Sequence, residues 1–312
     1  LRDVYKRQRL HGCPRHGERP ANVHHSSPSL RFLIAESEPP EARESRRESV
    51  GRSSGETYID TLLGLAPGAQ CGRIMPADAG AELPAGACLV GYDGVFLTGS
   101  PLHLFKETPE TRRAVEFMRA VFASGTPSFG SCAGLQVATV AAGGTVRPNL
   151  RGYEAAFARR ITPTERGRRH PLLAGRPACY DAPAVHTDEV ESLPEGAVLL
   201  AGNRVTAVQA AEIPFDGGVF WGVQYHPEIA LDEIAGALRR QADGLIEADL
   251  ARSRGEVEAY ADLVDALHCE PGRRDLAWRL GLDEQVSDDG KRLTELRNFI
   301  EAFVKPHRAS RD

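Results

Sequence analysis

The sequence predicts an α/β protein with a mostly parallel central sheet, helices on both faces and a helical C-terminal extension. From residue 31 onward, short apolar runs alternate with segments of helical periodicity, which is the pattern of strands joined by crossover helices. A cysteine between two glycines lies where a predicted strand passes into a predicted helix. Beyond Leu231, apolar residues recur at helical spacing.

The chain divides into three predicted parts. Residues 1–30 are rich in Arg, His, Pro and Ser and begin with Leu1, so we interpret them as a disordered or non-native leader. A genuine basic tail is the alternative. Residues 31–245 form the predicted α/β domain, and residues 246–312 form the predicted helical extension.

Each predicted element follows from its local pattern. Short apolar runs bounded by polar residues, Gly or Pro predict strands at 31–35, 71–75, 93–98 and 127–129. Helical spacing predicts helices at 57–65, 109–124 and 133–142. Shorter strands, mixed or antiparallel, are predicted at 197–201, 205–210 and 219–225. The last part, from Pro271, is interpreted as an appended helical segment.

Composition narrows the function. The 312 residues include 41% hydrophobic and 26% charged residues, which is ordinary for a globular protein, and the net charge of -5 gives no general attraction to nucleic acid. Six cysteines lack a CxxC pattern, so neither a metal nor a disulfide framework is expected. No membrane span or signal peptide is recognised. We expect a cytoplasmic protein without a cofactor, acting on a small molecule.

The segment Gly130-Ser131-Cys132-Ala133-Gly134 carries the strongest chemical signal. A sharp turn from strand to helix forces the nucleophile into a strained backbone conformation and leaves room only for small neighbours. The N-terminus of the following helix favours the thiolate form of the cysteine. The segment therefore predicts a nucleophile elbow, with a buried core cysteine as the alternative.

A histidine with a nearby acid completes the predicted chemistry. His226 follows an apolar run at the expected end of a strand, Pro227 breaks the strand, and Glu228 follows. A thiolate that attacks an amide needs a general acid for the departing nitrogen, and histidine suits this role near neutral pH. The Glu228 carboxylate can orient the imidazole ring. A surface histidine at a strand end is the alternative.

Together, the elbow from Gly130 to Gln136 and the sequence Tyr225-His226-Pro227-Glu228 resemble the class I, triad-type glutamine amidotransferases. The resemblance covers residues 31–245 and is greatest to the free-standing domains similar to the amidotransferase part of GMP synthase. It implies a flavodoxin-like fold. It also implies that Cys132 is the nucleophile, His226 the acid and base, and Glu228 its orienting partner.

The same resemblance implies an oxyanion hole and a substrate site. The family's Gly-Gly-Pro turn corresponds here to Gly99, Ser100 and Pro101, so serine replaces the second glycine. Serine accepts the backbone angles of such a turn less easily than glycine. The second donor would be the amide of Ala133. The residues implied to hold the substrate glutamine are Gln136, Val185 and His186.

Three functions remain open at this stage. The favoured one is a glutamine amidotransferase, with glutamine as substrate, that delivers ammonia to a separate synthase or acceptor enzyme. The first alternative is a stand-alone γ-glutamyl hydrolase that uses the same triad. The second is a non-enzymatic binding protein, which the presence of all three triad residues disfavours.

Two other features are interpreted as non-catalytic. Residues 51–55 lack the pattern of an ATP-pyrophosphatase loop. The acidic cluster is interspersed with arginine and is predicted to be a solvated surface rather than a metal site; its members are Glu36, Glu38, Glu41 and Glu44.

Overall fold

The computed structural model describes residues 29–84 and 86–311. The predicted leader lies almost wholly outside the described residues. The strands are β1 Arg31–Ala35, β2 Gln70–Ile74, β3 Gly94–Leu97, β4 Ser128–Ser131, β5 Thr145–Pro148, β6 Phe157–Pro163, β7 Tyr180–Pro183, β8 Asp188–Ser192, β9 Val198–Gly202, β10 Ala210–Phe215 and β11 Gly218–Val223.

Helices connect and cover these strands. Those before β11 are α1 Pro40–Val50, α2 Ser54–Leu65, α3 Gly86–Leu89, α4 Pro109–Ser124 and α5 Ala133–Ala141, with 3₁₀ turns at Gly167–Arg169 and Pro171–Leu173. Those after it are α6 Leu231–Arg240, α7 Ala242–Glu247, α8 Arg254–Cys269, α9 Arg274–Leu280, α10 Glu284–Ser287, α11 Asp289–Arg292, α12 Thr294–Phe299 and α13 Lys305–Ala309, with a π-helical turn at Ile300–Val304.

Within the described part of the chain, nine strands form one mixed sheet in the order β2-β1-β3-β4-β11-β10-β9-β6-β7. The pairs from β2 through β11 are parallel, and the pairs from β11 through β7 are antiparallel. This confirms the α/β class and the mixed middle region. Strands β5 and β8 form a separate antiparallel pair.

The sheet has an apolar core on each face. Along β1, Phe32 and Ile34 pack in one core, whereas Leu33 and Ala35 pack in the other, because successive side chains of a strand point to opposite faces. The parallel strands β4 and β11 end side by side, with Val223 paired to Ser131. Side chains that follow these strand ends are therefore brought together at one edge of the sheet.

The helices near the C-terminus belong to one of these cores. The Phe299 ring lies 5.4 Å from Phe96 and 5.5 Å from Phe129, measured between ring centroids, and also contacts Trp221. Phe299 is fully buried. The predicted helical character is observed, and the segment packs directly on the sheet.

One local element was not predicted, and one local prediction was wrong. The polar stretch after β1 forms helix α1, whose buried residues are Arg43 and Arg46 rather than an apolar stripe. The strand predicted from residue 205 begins only at Ala210, because the Asn203 side chain accepts hydrogen bonds from the Val205 and Thr206 amides and holds a loop. Within the described ranges, every helix is too short or too polar to cross a membrane.

Candidate active site

Cys132 lies between β4 and α5 in a strained conformation, with φ 53° and ψ -111°. A positive φ is rare for residues other than glycine and marks a constrained site. Its neighbours must be small: a Cβ atom at Gly134 would lie 2.6 Å from the Leu97 carbonyl oxygen, and one at Gly130 would lie 3.0 Å from Gly134. The elbow geometry expected from the sequence is therefore present.

His226 is held beside this elbow from two directions. Its amide donates to the Pro183 carbonyl at 2.7 Å, and its Nδ1 lies 2.7 Å from Glu228 Oε1. A Cβ atom at Gly99 would lie only 2.6 Å from His226 Cε1, so glycine is required there because the imidazole ring occupies the space. Cys132, His226 and Glu228 are thus brought together, as the sequence predicted.

The charges of Glu228 and Cys132 change the pKa of His226. Burial alone would lower the pKa of His226, but the negative charges of Glu228 and Cys132, with hydrogen bonds to both, outweigh burial and raise that pKa to about 10. The protonated imidazole is consequently favoured at neutral pH, beside the Cys132 side chain.

Two further residues support Glu228 and were missed at the sequence level. Ser131 Oγ donates to Glu228 Oε1 at 2.9 Å, and the Tyr58 hydroxyl lies 2.6 Å from Ser131 Oγ. Burial and the nearby Glu228 charge keep the pKa of Tyr58 well above its ordinary value. Ser131 lies within the elbow motif, but Tyr58 is remote in sequence and carried no signal. Both hydroxyls hold the carboxylate in place.

The two predicted donors of the oxyanion hole are the backbone amides of Ser100 and Ala133. Within the described residues, neither the Ser100 nor the Ala133 amide donates a hydrogen bond to the protein. Ser100 does not have a positive φ, so serine fits this turn without the strain expected of it. Its Oγ donates to the Ser37 carbonyl at 2.9 Å, which anchors the turn.

Two cavities meet at Cys132. The larger cavity has a volume of about 770 Å³, and the smaller cavity has a volume of about 260 Å³. Cys132, Ser100, Pro101, Val185 and Gln241 line both cavities. If the bond of a ligand lies at the Cys132 sulfur, the groups on its two sides can therefore occupy different cavities.

The larger cavity contains the predicted substrate residues Gln136, Val185 and His186. Gln136 is almost fully buried, and its Nε2 donates to Gln224 Oε1 at 3.3 Å. His186 Nε2 lies 3.0 Å from Glu154 Oε2. Burial raises the pKa of Glu154, but the interaction with His186 and further hydrogen bonds outweigh burial and lower it. His186 is thus engaged with a buried carboxylate.

The smaller cavity contains His226 and Glu228 together with charged residues from α1 and α6. Glu38, in the acidic cluster, lines this cavity and is 7% exposed, whereas Glu36 is fully buried. The prediction of a solvated acidic surface is therefore wrong for these two residues, although Glu41 and Glu44 are exposed. The physical reason is that α1 turns Arg46 inward, 3.8 Å from Glu38.

Fold and site together define an α/β protein with a strained cysteine between strand β4 and helix α5, beside a buried histidine and glutamate. The family model described as glutamine amidotransferase class-I matches residues 72–241, more than half of the chain. The chain belongs to the class I glutamine amidotransferase family.

Individual relatives sharpen this assignment. The chain is 38% identical to a γ-glutamyl-L-1-hydroxyisopropylamide hydrolase of a Pseudomonas species, over 75% of this chain and 80% of that protein. It is 32% identical to a glutamine-hydrolysing GMP synthase component of Methanoculleus marisnigri, over 48% of this chain and 72% of that protein. A glutamine amidotransferase from Thermotoga maritima has the same fold, with a TM-score of 0.59 at 16% identity, covering 88% of this chain and 98% of that chain.

Proposed function

We propose that this protein hydrolyses the γ-glutamyl amide bond of a γ-glutamyl amine, releasing glutamate and the free amine. The observation that carries the proposal is the junction of two cavities at Cys132, with Gln136 on one side and His226 on the other. An amide that bears a substituent on nitrogen needs space on both sides of the nucleophile. Free glutamine needs only the side that holds the glutamyl group.

In the proposed reaction, the Cys132 thiolate attacks the γ-carbonyl carbon, and the developing oxyanion accepts hydrogen bonds from the Ser100 and Ala133 amides. The C–N bond breaks as His226 gives its proton to the departing nitrogen. This leaves a γ-glutamyl thioester on Cys132 and a free amine. His226 then takes a proton from water, the resulting hydroxide attacks the thioester, and glutamate leaves. Glu228 orients the His226 ring throughout.

Similarity supports this function over the one first favoured from the sequence. The relative that acts on a γ-glutamyl amide is 38% identical over three quarters of the chain, whereas the GMP synthase component is 32% identical over about half of it. The second candidate remains an amidotransferase that passes ammonia to a synthase, and the similarity to a GMP synthase component favours it.

The test is glutamate release by the purified chain alone. We expect a higher kcat/KM with a γ-glutamyl alkylamide than with glutamine, without any added protein. Hydrolysis of glutamine only, accelerated by a synthase, would instead support the second candidate.

A further inference from the structure

The turn that carries His226 and Glu228 is held by a side chain from the helices near the C-terminus. Arg292, the last residue of α11, is only 5% exposed. Its Nη1 donates to the Pro227 carbonyl at 2.7 Å and to the Ile229 carbonyl at 3.1 Å. Because these carbonyls lie on either side of Glu228 in the chain, the guanidinium group fixes the backbone both before and after that residue.

An arginine suits this position better than any other side chain. Its planar guanidinium group offers several N–H donors in a fixed geometry, so one group can reach two carbonyls and a carboxylate. Its Nη2 donates to Asp289 at 2.6 Å, which orients the group on its own helix. Among the described residues, neither carbonyl of the turn accepts a hydrogen bond from another group. Removal of the guanidinium group would therefore leave two buried acceptors unpaired.

Glu295 of α12 holds the residue that precedes His226. Its Oε1 accepts a hydrogen bond from the Tyr225 hydroxyl at 2.8 Å, and both residues are fully buried. Arg176 donates to both carboxylate oxygens of Glu295 at 2.7 Å, so Glu295 is itself fixed. Burial and the Glu295 charge raise the pKa of Tyr225 well above its ordinary value, so the hydroxyl keeps the proton that it donates.

The place of this turn governs the contact between Glu228 and His226. Glu228 Oε1 lies 2.7 Å from His226 Nδ1, and the Glu228 charge contributes to the raised pKa of His226. The other carboxylate oxygen, Oε2, has no hydrogen-bond partner among the described residues. The orientation of the carboxylate therefore depends on where the backbone places it, and a shift of the turn would weaken its contact with the ring.

We propose that Arg292 and Glu295 are positioning residues, which hold this turn so that its carboxylate orients the imidazole ring. Neither residue lines either of the cavities that meet at Cys132. Both lie beyond residue 241, where the match to the family model ends. The inference rests on the proposed function, because it requires that His226 transfers protons in the reaction. It gives helices α11 and α12 a role in catalysis in addition to their packing on the sheet.

The central test compares Arg292→Met with Arg311→Met, using glutamine and a γ-glutamyl alkylamide as substrates. Arg311 is the matched control because it also lies near the C-terminus and donates to a carbonyl, that of Val90, and to a carboxylate, that of Asp93. We expect Arg292→Met to lower kcat by roughly a hundredfold with both substrates and to change KM by less than about threefold, because it misplaces the ring without touching the substrate. Arg311→Met should keep the wild-type kcat.

Two further measurements separate positioning from a general loss of stability. In Arg292→Met, the alkaline limb of kcat/KM should move to lower pH, because a displaced Glu228 supports the protonated ring less. In a Glu228→Ala background, the same substitution should lower kcat by less than about threefold, because the carboxylate through which Arg292 acts is already gone.

Two milder variants keep the test valid if Arg292→Met does not fold. Arg292→Lys keeps the charge but cannot hold both carbonyls in the same fixed geometry, so we expect it to recover kcat to within about tenfold of the wild type, still with a lowered alkaline limb. Tyr225→Phe keeps the ring and removes only the hydrogen bond to Glu295 and its neighbour Tyr180. We expect it to lower kcat by roughly tenfold and to move the alkaline limb in the same direction.

The outcomes separate this inference from the proposed function. A wild-type kcat with an unmoved alkaline limb in the Arg292 variants, or an equal loss with and without Glu228, would overturn the role of Arg292. Wild-type behaviour of Tyr225→Phe would overturn that of Glu295. Both results would leave the proposed function intact. If the wild-type chain consumes only glutamine, the proposed function fails, whereas the losses caused by these variants are still measured with glutamine.

Discussion

The two cavities at Cys132 differ in how they are built. The larger cavity is lined by Gln136 of α5 and by the loop residues Val185 and His186, which the family resemblance implied as substrate-binding residues. The smaller cavity is lined by charged residues that no sequence motif indicated, including Glu38, which precedes α1, and Arg240 of α6. The family resemblance therefore accounts for the residues of the larger cavity but not for those of the smaller cavity.

Loss of the Cys132 sulfur should abolish the hydrolysis of both glutamine and γ-glutamyl amides. We expect Cys132→Ala to lower kcat for glutamine and for γ-glutamyl amides by roughly four orders of magnitude or more, because no thioester can form. Cys88→Ala, at an exposed cysteine, is the control and should leave both rates unchanged. Residual activity of Cys132→Ala near the wild-type level, with an unchanged thermal unfolding curve, would remove Cys132 from the mechanism.

Loss of the orienting carboxylate should act on both substrates but less severely. We expect Glu228→Gln to lower kcat/KM by roughly a thousandfold and His226→Ala to lower it further, because Glu228 acts through the ring. Equal losses in the two variants would mean that Glu228 does more than orient.

The pH dependence of Glu228→Gln gives a separate readout. The pKa of His226 is raised to about 10, so the protonated form persists as the pH rises and is lost through that value. The stabilisation of the fold by this charge is complete below the ordinary pKa of about 6.5 and disappears as the pH passes about 10. Without the Glu228 charge, the alkaline limb of kcat/KM should move to lower pH. An unmoved limb would contradict this electrostatic coupling.

A single methyl group at Gly99 tests the packing of the His226 ring. The added Cβ would lie 2.6 Å from His226 Cε1, so Gly99→Ala must displace the ring. We expect a loss of kcat of roughly a hundredfold with γ-glutamyl amides. Gly64→Ala in α2, with no atom within 4 Å of its added Cβ, is the control and should retain full activity. Full activity of Gly99→Ala would show that the His226 ring does not occupy this position during catalysis.

The smallest predicted effect lies on the glutamyl side. Gln136→Ala should raise KM by roughly tenfold, and by the same factor for every amine, because Gln136 lines only the larger cavity, where we propose that the shared glutamyl group binds. Steady-state kinetics with two amides that differ only in the amine would measure this. A change in KM that differs between the two amines would mean that Gln136 contacts the amine, so that the larger cavity receives the amine.

The segment around Cys132 was predictable because the chemistry proposed for it constrains its local sequence. The elbow at Cys132 needs small neighbours, and a histidine with a nearby acid is recognisable after a strand. Ser131 was visible within the motif, but its hydrogen bond to Glu228 depends on the neighbouring ends of β4 and β11. That proximity is a property of the sheet order, which the sequence pattern does not contain.

The wall of the smaller cavity was not predictable for a different reason. Sequence patterns identify a buried helix face by its apolar residues, and the buried face of α1 carries Arg43 and Arg46. Glu38 was predicted to be solvated because its neighbours in sequence are charged. Its burial depends on Arg46 and Ser54, which α1 and α2 bring to it. Likewise, Phe299 showed helical spacing, but its packing on Phe96 is a long-range contact.

The most direct test of the account is the identity of the covalent intermediate. The chain would be mixed with two γ-glutamyl amides that differ only in the amine, quenched in acid, and analysed by intact-mass and peptide mass spectrometry. We expect the same γ-glutamyl adduct on Cys132 from both substrates, with each amine released before the glutamate. An adduct that retains the amine, or one carried by another cysteine, would contradict the division of the substrate between the two cavities.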